Sequence, residues 1–228
     1  MARVKSRRRS SKDQDEVLTL FQRCLEFLKL HQKWISLGLG VLLLLVLGWE
    51  VKVYMEKQRN EAGATALAQV RPKLNRPEEA VAAVGALEQV VEKYGATPAG
   101  REAALFRAHL LYQMKNYAEA AKAYEDLQAG PAGRDPGLGY LIAESLSYCY
   151  EALGDYAKAA QVLQAGVDST SGFYQRELML RLAWLLEKAG QPQEAGRYWR
   201  RLLEAPPNPA LVPYLKEKVA ALDAAPEK

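Results

Sequence analysis

The sequence predicts an all-α protein: an N-terminal amphipathic helix, a single transmembrane helix, then an α-solenoid of about four helix pairs with a C-terminal capping helix. Three observations predict it. The stretch "KWISLGLGVLLLLVLGWEVK" contains an uncharged run from Trp34 to Trp49. A small residue recurs twelve positions before an alanine, at Ala108 and Ala120, Ser147 and Ala159, and Ala183 and Ala195, each time across a polar turn. No stretch alternates apolar and polar residues long enough to argue for a strand.

Residues 1–16 form a basic cytoplasmic tail. "RVKSRRRSSK" has the composition of a nucleic-acid arm, but an apolar anchor so close makes it a topology signal that touches anionic lipid. Residues 1–33 hold nine basic and four acidic side chains, leaving 22 basic and 23 acidic in the remainder. The overall pI near 8.9 therefore belongs to the tail, and no nucleic-acid partner is expected. Residues 17–33 form an amphipathic juxtamembrane helix, with Val17, Leu20, Phe21, Cys24, Leu25 and Leu28 at helical spacing.

Residues 34–53 are the transmembrane anchor. The core is short against the ~20 residues of a typical span. Trp34 and Trp49 suit the two interfaces, and Lys33, Glu50 and Lys52 can snorkel. A cleaved signal needs small residues after the apolar run, whereas "WEVKVYMEKQ" is bulky and charged, so the anchor is retained. Nine Lys and Arg precede the span, but only Lys52, Lys57 and Arg59 closely follow, which puts the N-terminus in the cytoplasm. Ser36 and Gly40, four apart, offer a small surface for packing another membrane helix. The two cysteines, Cys24 and Cys149, fall on opposite sides of the span and cannot pair, so Cys149 reads as a small buried hydrophobe.

Residues 54–222 carry the repeats, and 223–228 a flexible tail. "AHLLYQMKNYAEAAKAYEDL", "SYCYEALGDYAKAAQVLQAG" and "AWLLEKAGQPQEAGRYWRRL" repeat one pattern, with turns at "KNY", "GDY" and "GQP". Small residues on both helices let them cross closely. The pattern resembles the tetratricopeptide repeat, in which a small eighth residue, an alanine at the twentieth place and a large residue at the twenty-fourth recur. Tyr124, Leu163 and Trp199 fill that last place. A weaker first copy places Ala68, a turn at "NRP", Ala80 and Val84 in the same roles, its first helix continuing from the span. Alanine spacings of 40, 39 and 36 exceed the standard repeat, and the surplus is assigned to loops at "YGATPAGRE" and "AGPAGRDPGLG". After "APPNP", the stretch "ALVPYLKEKVAAL" reads as the capping helix.

Catalytic vocabulary is nearly empty. The histidines, His31 and His109, are isolated, no zinc spacing or phosphate loop occurs, and neither an enzyme nor a cofactor is expected. The repeat resemblance implies instead a groove lined by the first helix of each pair. Its fifth, ninth and twelfth places give Leu105, His109 and Tyr112, then Glu144, Tyr148 and Glu151, then Leu180, Trp184 and Glu187. Such an aromatic rung edged by carboxylates suits a protein partner with apolar and basic groups. The Lys and Asn of a carboxylate clamp are absent from these places.

In layout, size and its ending "NPALVPYLKEKVAAL", nearly the full chain is similar to the YfgM-type ancillary subunits of the bacterial SecYEG translocon. That resemblance implies an inner-membrane protein with periplasmic repeats, beside the translocon and partnered with a periplasmic chaperone or prolyl isomerase. A structural scaffold for an envelope assembly, division or secretion complex has the same architecture.

Overall fold

A computed structural model describes residues 29–135 and 137–223, together with Arg23 and Glu26. The basic tail, most of the amphipathic stretch with Cys24, and residues 224–228 lie outside the described residues. No strand occurs among the described residues; the chain runs through α1 (Gln32–Val70), α2 (Ala80–Tyr94), α3 (Pro98–Gln113), α4 (Tyr117–Ala129), α5 (Gly139–Ala152), α6 (Tyr156–Ser169), α7 (Gly172–Lys188), α8 (Pro192–Glu204) and α9 (Val212–Asp223). Two units divide it, residues 1–58 and 59–228.

In the first unit, α1 carries the apolar run. Trp34, Leu44 and Trp49 are 74%, 71% and 66% exposed. Among the described residues this is the one helix long and apolar enough to cross a membrane. The Ser36 hydroxyl donates to the Lys33 carbonyl at 3.0 Å, which satisfies it without a partner helix. A Cβ at Gly40 would meet nothing within 4 Å.

The second unit is a sequence of helices each packed on its chain neighbours. Three apolar cores follow one another: the end of α1 with α2 and α3, then α3 to α5, then α6 to α9. Ala108, Ala120, Ser147, Ala159, Ala183 and Ala195 are all fully buried, so the small-residue pairs mark the three crossings. Their volume is what allows it: one added methylene would have no free space in so dense a contact. Tyr124, Leu163 and Trp199 are likewise buried.

The three turns share one geometry. Lys115, Gly154 and Gly190, at matching places, have φ of 65°, 80° and 75°. Around each, the following amide bonds back across six residues, Asn116 to Leu111, Asp155 to Tyr150 and Gln191 to Leu186, at 3.0, 2.9 and 2.8 Å. This is the Schellman closure, which satisfies the last carbonyls of one helix and turns the chain into the next. Asp155 then caps α6 by accepting from the Lys158 amide at 3.1 Å.

Two expectations need correction. Ala68 is exposed; the inward residues of that helix are Gly63, Leu67 and Val70, and a Cβ at Gly63 would stand 3.0 Å from Thr97 Oγ1 and 3.2 Å from Tyr94 Cβ. The first pair is joined by two short 3₁₀ turns, Arg71–Lys73 and Pro77–Glu79, so the twelve-residue spacing does not carry over. "YGATPAGRE" is mostly helix: Thr97 caps α3, accepting from the Gly100 amide at 3.1 Å with Pro98 in the first turn. The longer spacing there is absorbed by helices of 15 and 16 residues. Where "AGPAGRDPGLG" was expected as a loop, Pro131–Arg134 form a 3₁₀ turn between α4 and α5, and Pro136 lies outside the described residues.

The capping helix forms as expected. Leu215 is fully buried, and Val219 and Leu222 pack on the last core.

Candidate protein-binding groove

Helices α3, α5 and α7, the first of their pairs, present one face each to two adjoining cavities. The larger, about 550 Å³, is lined by Glu144, Tyr148, Glu151, Glu177, Leu180, Arg181, Trp184, Trp199 and Tyr214. The smaller, about 330 Å³, is lined by His109, Tyr112, Tyr124, Ser145 and Tyr148. Tyr148 therefore stands between them, and it is 38% exposed.

Seven of the nine groove residues named from the repeat positions line these cavities: His109, Tyr112, Glu144, Tyr148, Glu151, Leu180 and Trp184. The other two do not. Leu105, partly buried, packs against the α3–α5 core. Glu187 accepts from the Trp199 indole Nε1 at 2.8 Å and from Lys218 Nζ at 2.6 Å, so it fastens α8 and α9 to α7.

Several contacts within the groove were beyond the positional pattern. Arg181 lies with its guanidinium 3.4 Å from the centroid of the Tyr148 ring and forms an ion pair with Glu151. The stack and the pair fix Tyr148 and cancel one of the carboxylates. Trp184 is only partly open: its ring meets Tyr156 edge-on at 6.2 Å, and it packs on the last core. Tyr214 enters from the capping helix, T-shaped to Trp199 at 5.9 Å. Arg181 and Tyr214 follow no repeat rule; the only signal for Arg181 is its place one residue beyond Leu180.

Burial tunes several groups. The Glu144 carboxyl is pushed above the usual carboxylate range by desolvation, which Arg181 partly offsets. Desolvation also raises the Tyr112 and Tyr124 phenols. Cys149, wholly enclosed, has its thiol pushed up to about 11 by burial and is chemically quiet. Gln113 Nε2 and His109 Nε2 lie 2.9 Å apart. Among the described residues no three His, Cys, Asp or Glu side chains come together as metal ligands would.

Helix pairs closed by a repeated turn, with first helices lining a groove, define an α-solenoid of repeats. The chain belongs to the family described as tetratricopeptide repeat-like domain, which matches residues 26–171, and residues 177–208 match the tetratricopeptide repeat. Among solved structures it is similar to the nearly identical TPR-like repeats of a protein described as a Podosopora anserina kinesin light chain, at 19% identity and a TM-score of 0.50 over 71% of this chain and 94% of that one. A single-substitution form of the same repeats gives the same figures. At that identity the likeness shows the fold alone. No curated protein matches the chain. Tetratricopeptide repeats imply a protein-interaction module, and proteins are its class of partner.

Proposed function

We propose that the chain is a membrane-anchored recruiter, in which the apolar helix holds the repeats at a membrane and the groove captures a partner protein. The observation that carries this is the run of side chains across α3, α5 and α7 centred on Tyr148, an aromatic held by Arg181 yet open to solvent. A ring held in one place loses little entropy on binding, which is what an interface anchor needs. No catalytic role is assigned to any residue.

The particular setting we propose is that of a YfgM-type translocon subunit. The N-terminus is cytoplasmic, the repeats are periplasmic at the inner membrane, and the groove brings a periplasmic chaperone or prolyl isomerase to chains leaving SecYEG. The excess of Lys and Arg before the span supports the orientation, and the open helix surface at Ser36 and Gly40 supports a contact within the membrane.

Affinity purification of the full chain from mild detergent tests both parts. Tyr148→Ala removes a central aromatic, commonly ~2 kcal/mol or about thirtyfold in affinity, and is expected to lose the periplasmic partner but keep the translocon. Exchanging residues 17–49 for an unrelated anchor is expected to lose the translocon. If the exchanged chain still carries it, or if Tyr148→Ala changes no co-purifying protein, the recruiter gives way to the scaffold.

A further inference from the structure

We infer that the groove between α5 and α7 selects a partner segment presenting a lysine or arginine between two apolar side chains. The inference rests on the groove being the partner-binding face, and adds the chemistry of what it takes.

Contacts between the two helices set their register. Tyr140 and Tyr174 have ring centroids 5.5 Å apart, and Arg181 lies over Tyr148, an offset of 34 and 33 residues respectively. Carried along both helices, this offset brings Leu141 level with Tyr174, Glu144 with Glu177, Tyr148 with Arg181 and Glu151 with Trp184. The groove therefore has three zones in sequence.

One end is apolar and open: Leu141, Phe173 and Tyr174 are 42%, 54% and 58% exposed. The other is the aromatic floor of Tyr148, Leu180 and Trp184. Between them stand two carboxylates on neighbouring helices, Glu144 and Glu177, lining the same 550 Å³ cavity. Among the described residues neither takes part in any hydrogen bond or ion pair that Arg181 or Lys218 could have supplied. Arg181, the only cation among the described residues lining the cavity, is paired with Glu151 and stacked on Tyr148 and reaches Glu144 only through space, and Lys218 is engaged by Glu187.

Two carboxylates lining one cavity make it negative, and burial disfavours the ionised form of Glu144, a cost Arg181 offsets only in part. A cation placed between them by a partner relieves both costs, whereas an acidic segment adds a third negative charge. The apolar zones on either side fix what flanks that cation: aliphatic or aromatic groups, about one helical turn away in each direction, since the rungs follow the helix period.

The test probes an array of random 12-residue peptides with the full chain in detergent. Bound peptides are expected to be enriched in Lys or Arg flanked by apolar residues. For one such peptide in solution, changing its Lys to Gln is expected to weaken binding roughly tenfold to the native chain, but less than twofold to a Glu144→Gln, Glu177→Gln double variant with an unchanged circular-dichroism melt. Tyr148→Ala is expected to lose peptides of every kind. If Tyr148→Ala loses the peptides while the double variant retains an undiminished preference for basic ones, or no such preference exists, the charge selection is wrong and the groove stands. If binding ignores Tyr148→Ala, or no peptide binds, the groove reading itself falls and this inference with it. Sedimentation that finds a dimer dispersed by Tyr148→Ala assigns the groove to a second copy and also overturns it.

Discussion

Glu187 joins three helices, and removing it has a consequence confined to one end of the repeat stack. Its carboxylate accepts from the Trp199 indole at 2.8 Å and from Lys218 at 2.6 Å, and Lys218 in turn lies 5.8 Å from the Trp199 ring and 5.7 Å from that of Tyr214. Trp199 is 1% exposed, so once Glu187 is gone water cannot replace the acceptor. An unpaired buried donor bonded to a charge costs about 1.5 to 3 kcal/mol. The ion pair, a quarter exposed on each side, adds about 0.5 kcal/mol. Glu187→Ala is therefore expected to loosen α8 and α9 together by about 2 to 3.5 kcal/mol. Because each repeat is held by its neighbours, the loss should appear as an acceleration of amide exchange by roughly thirtyfold or more in residues 192–223, measured by mass spectrometry. Exchange in α3 to α5 should not change. Glu187→Gln keeps an acceptor for the indole and should accelerate the same amides only about threefold. Equal effects of the two substitutions, or acceleration spread evenly over all helices, would refute the assignment of Glu187 to the cap.

Four further outcomes are expected. Ala159→Leu overpacks the α5–α6 crossing, where Ala159 is fully buried, and should cost ~1 to 3 kcal/mol in a urea melt, while Gln161→Leu on the exposed face of α6 changes little. Lys115 holds a left-handed conformation that its counterparts Gly154 and Gly190 adopt freely, so Lys115→Gly should stabilise by about 1 kcal/mol. Glu144→Gln should leave the melt unchanged or raise it at pH 7: its carboxyl is raised by burial, so the folded state holds the proton more tightly and stability falls as pH rises through that window. Tyr150, raised to about 12 chiefly by its hydrogen bond to Glu125, and Lys218, raised chiefly by Glu187, both favour their protonated forms in the folded state. Their contribution to stability should therefore be level below about pH 10 and lost above it, with the Lys218 part of that loss absent in Lys218→Met.

The three later helix pairs were legible because their determinants are local. A residue that must be small at a crossing, a turn that must enter the left-handed region, and a large residue on the second helix recur at spacings set by helix geometry. Hence Ala108, Ser147 and Ala183 could be paired with their alanines without coordinates. Most of the groove followed, since repeat position fixes which side of a first helix His109, Tyr148 and Trp184 occupy. The failures came where that register is interrupted. Two 3₁₀ turns between α1 and α2 shift the inward face from Ala68 to Gly63.

Tertiary packing decided what no periodicity encodes: which polar groups find one another. Glu151 and Glu187 look alike as carboxylates at the twelfth place of successive repeats. One meets Arg181 across the groove, and the other meets Trp199 and Lys218 at the cap. Partners 12 to 31 residues apart in sequence are brought together by helix stacking, and a carboxylate's role is set by the cation or donor within its few ångströms of reach. Repeat position puts Glu144 on the groove side of its helix, but no sequence pattern singles out Glu177. Only the alignment of α5 with α7 puts both on one cavity, whose one lining cation among the described residues, Arg181, is paired with Glu151.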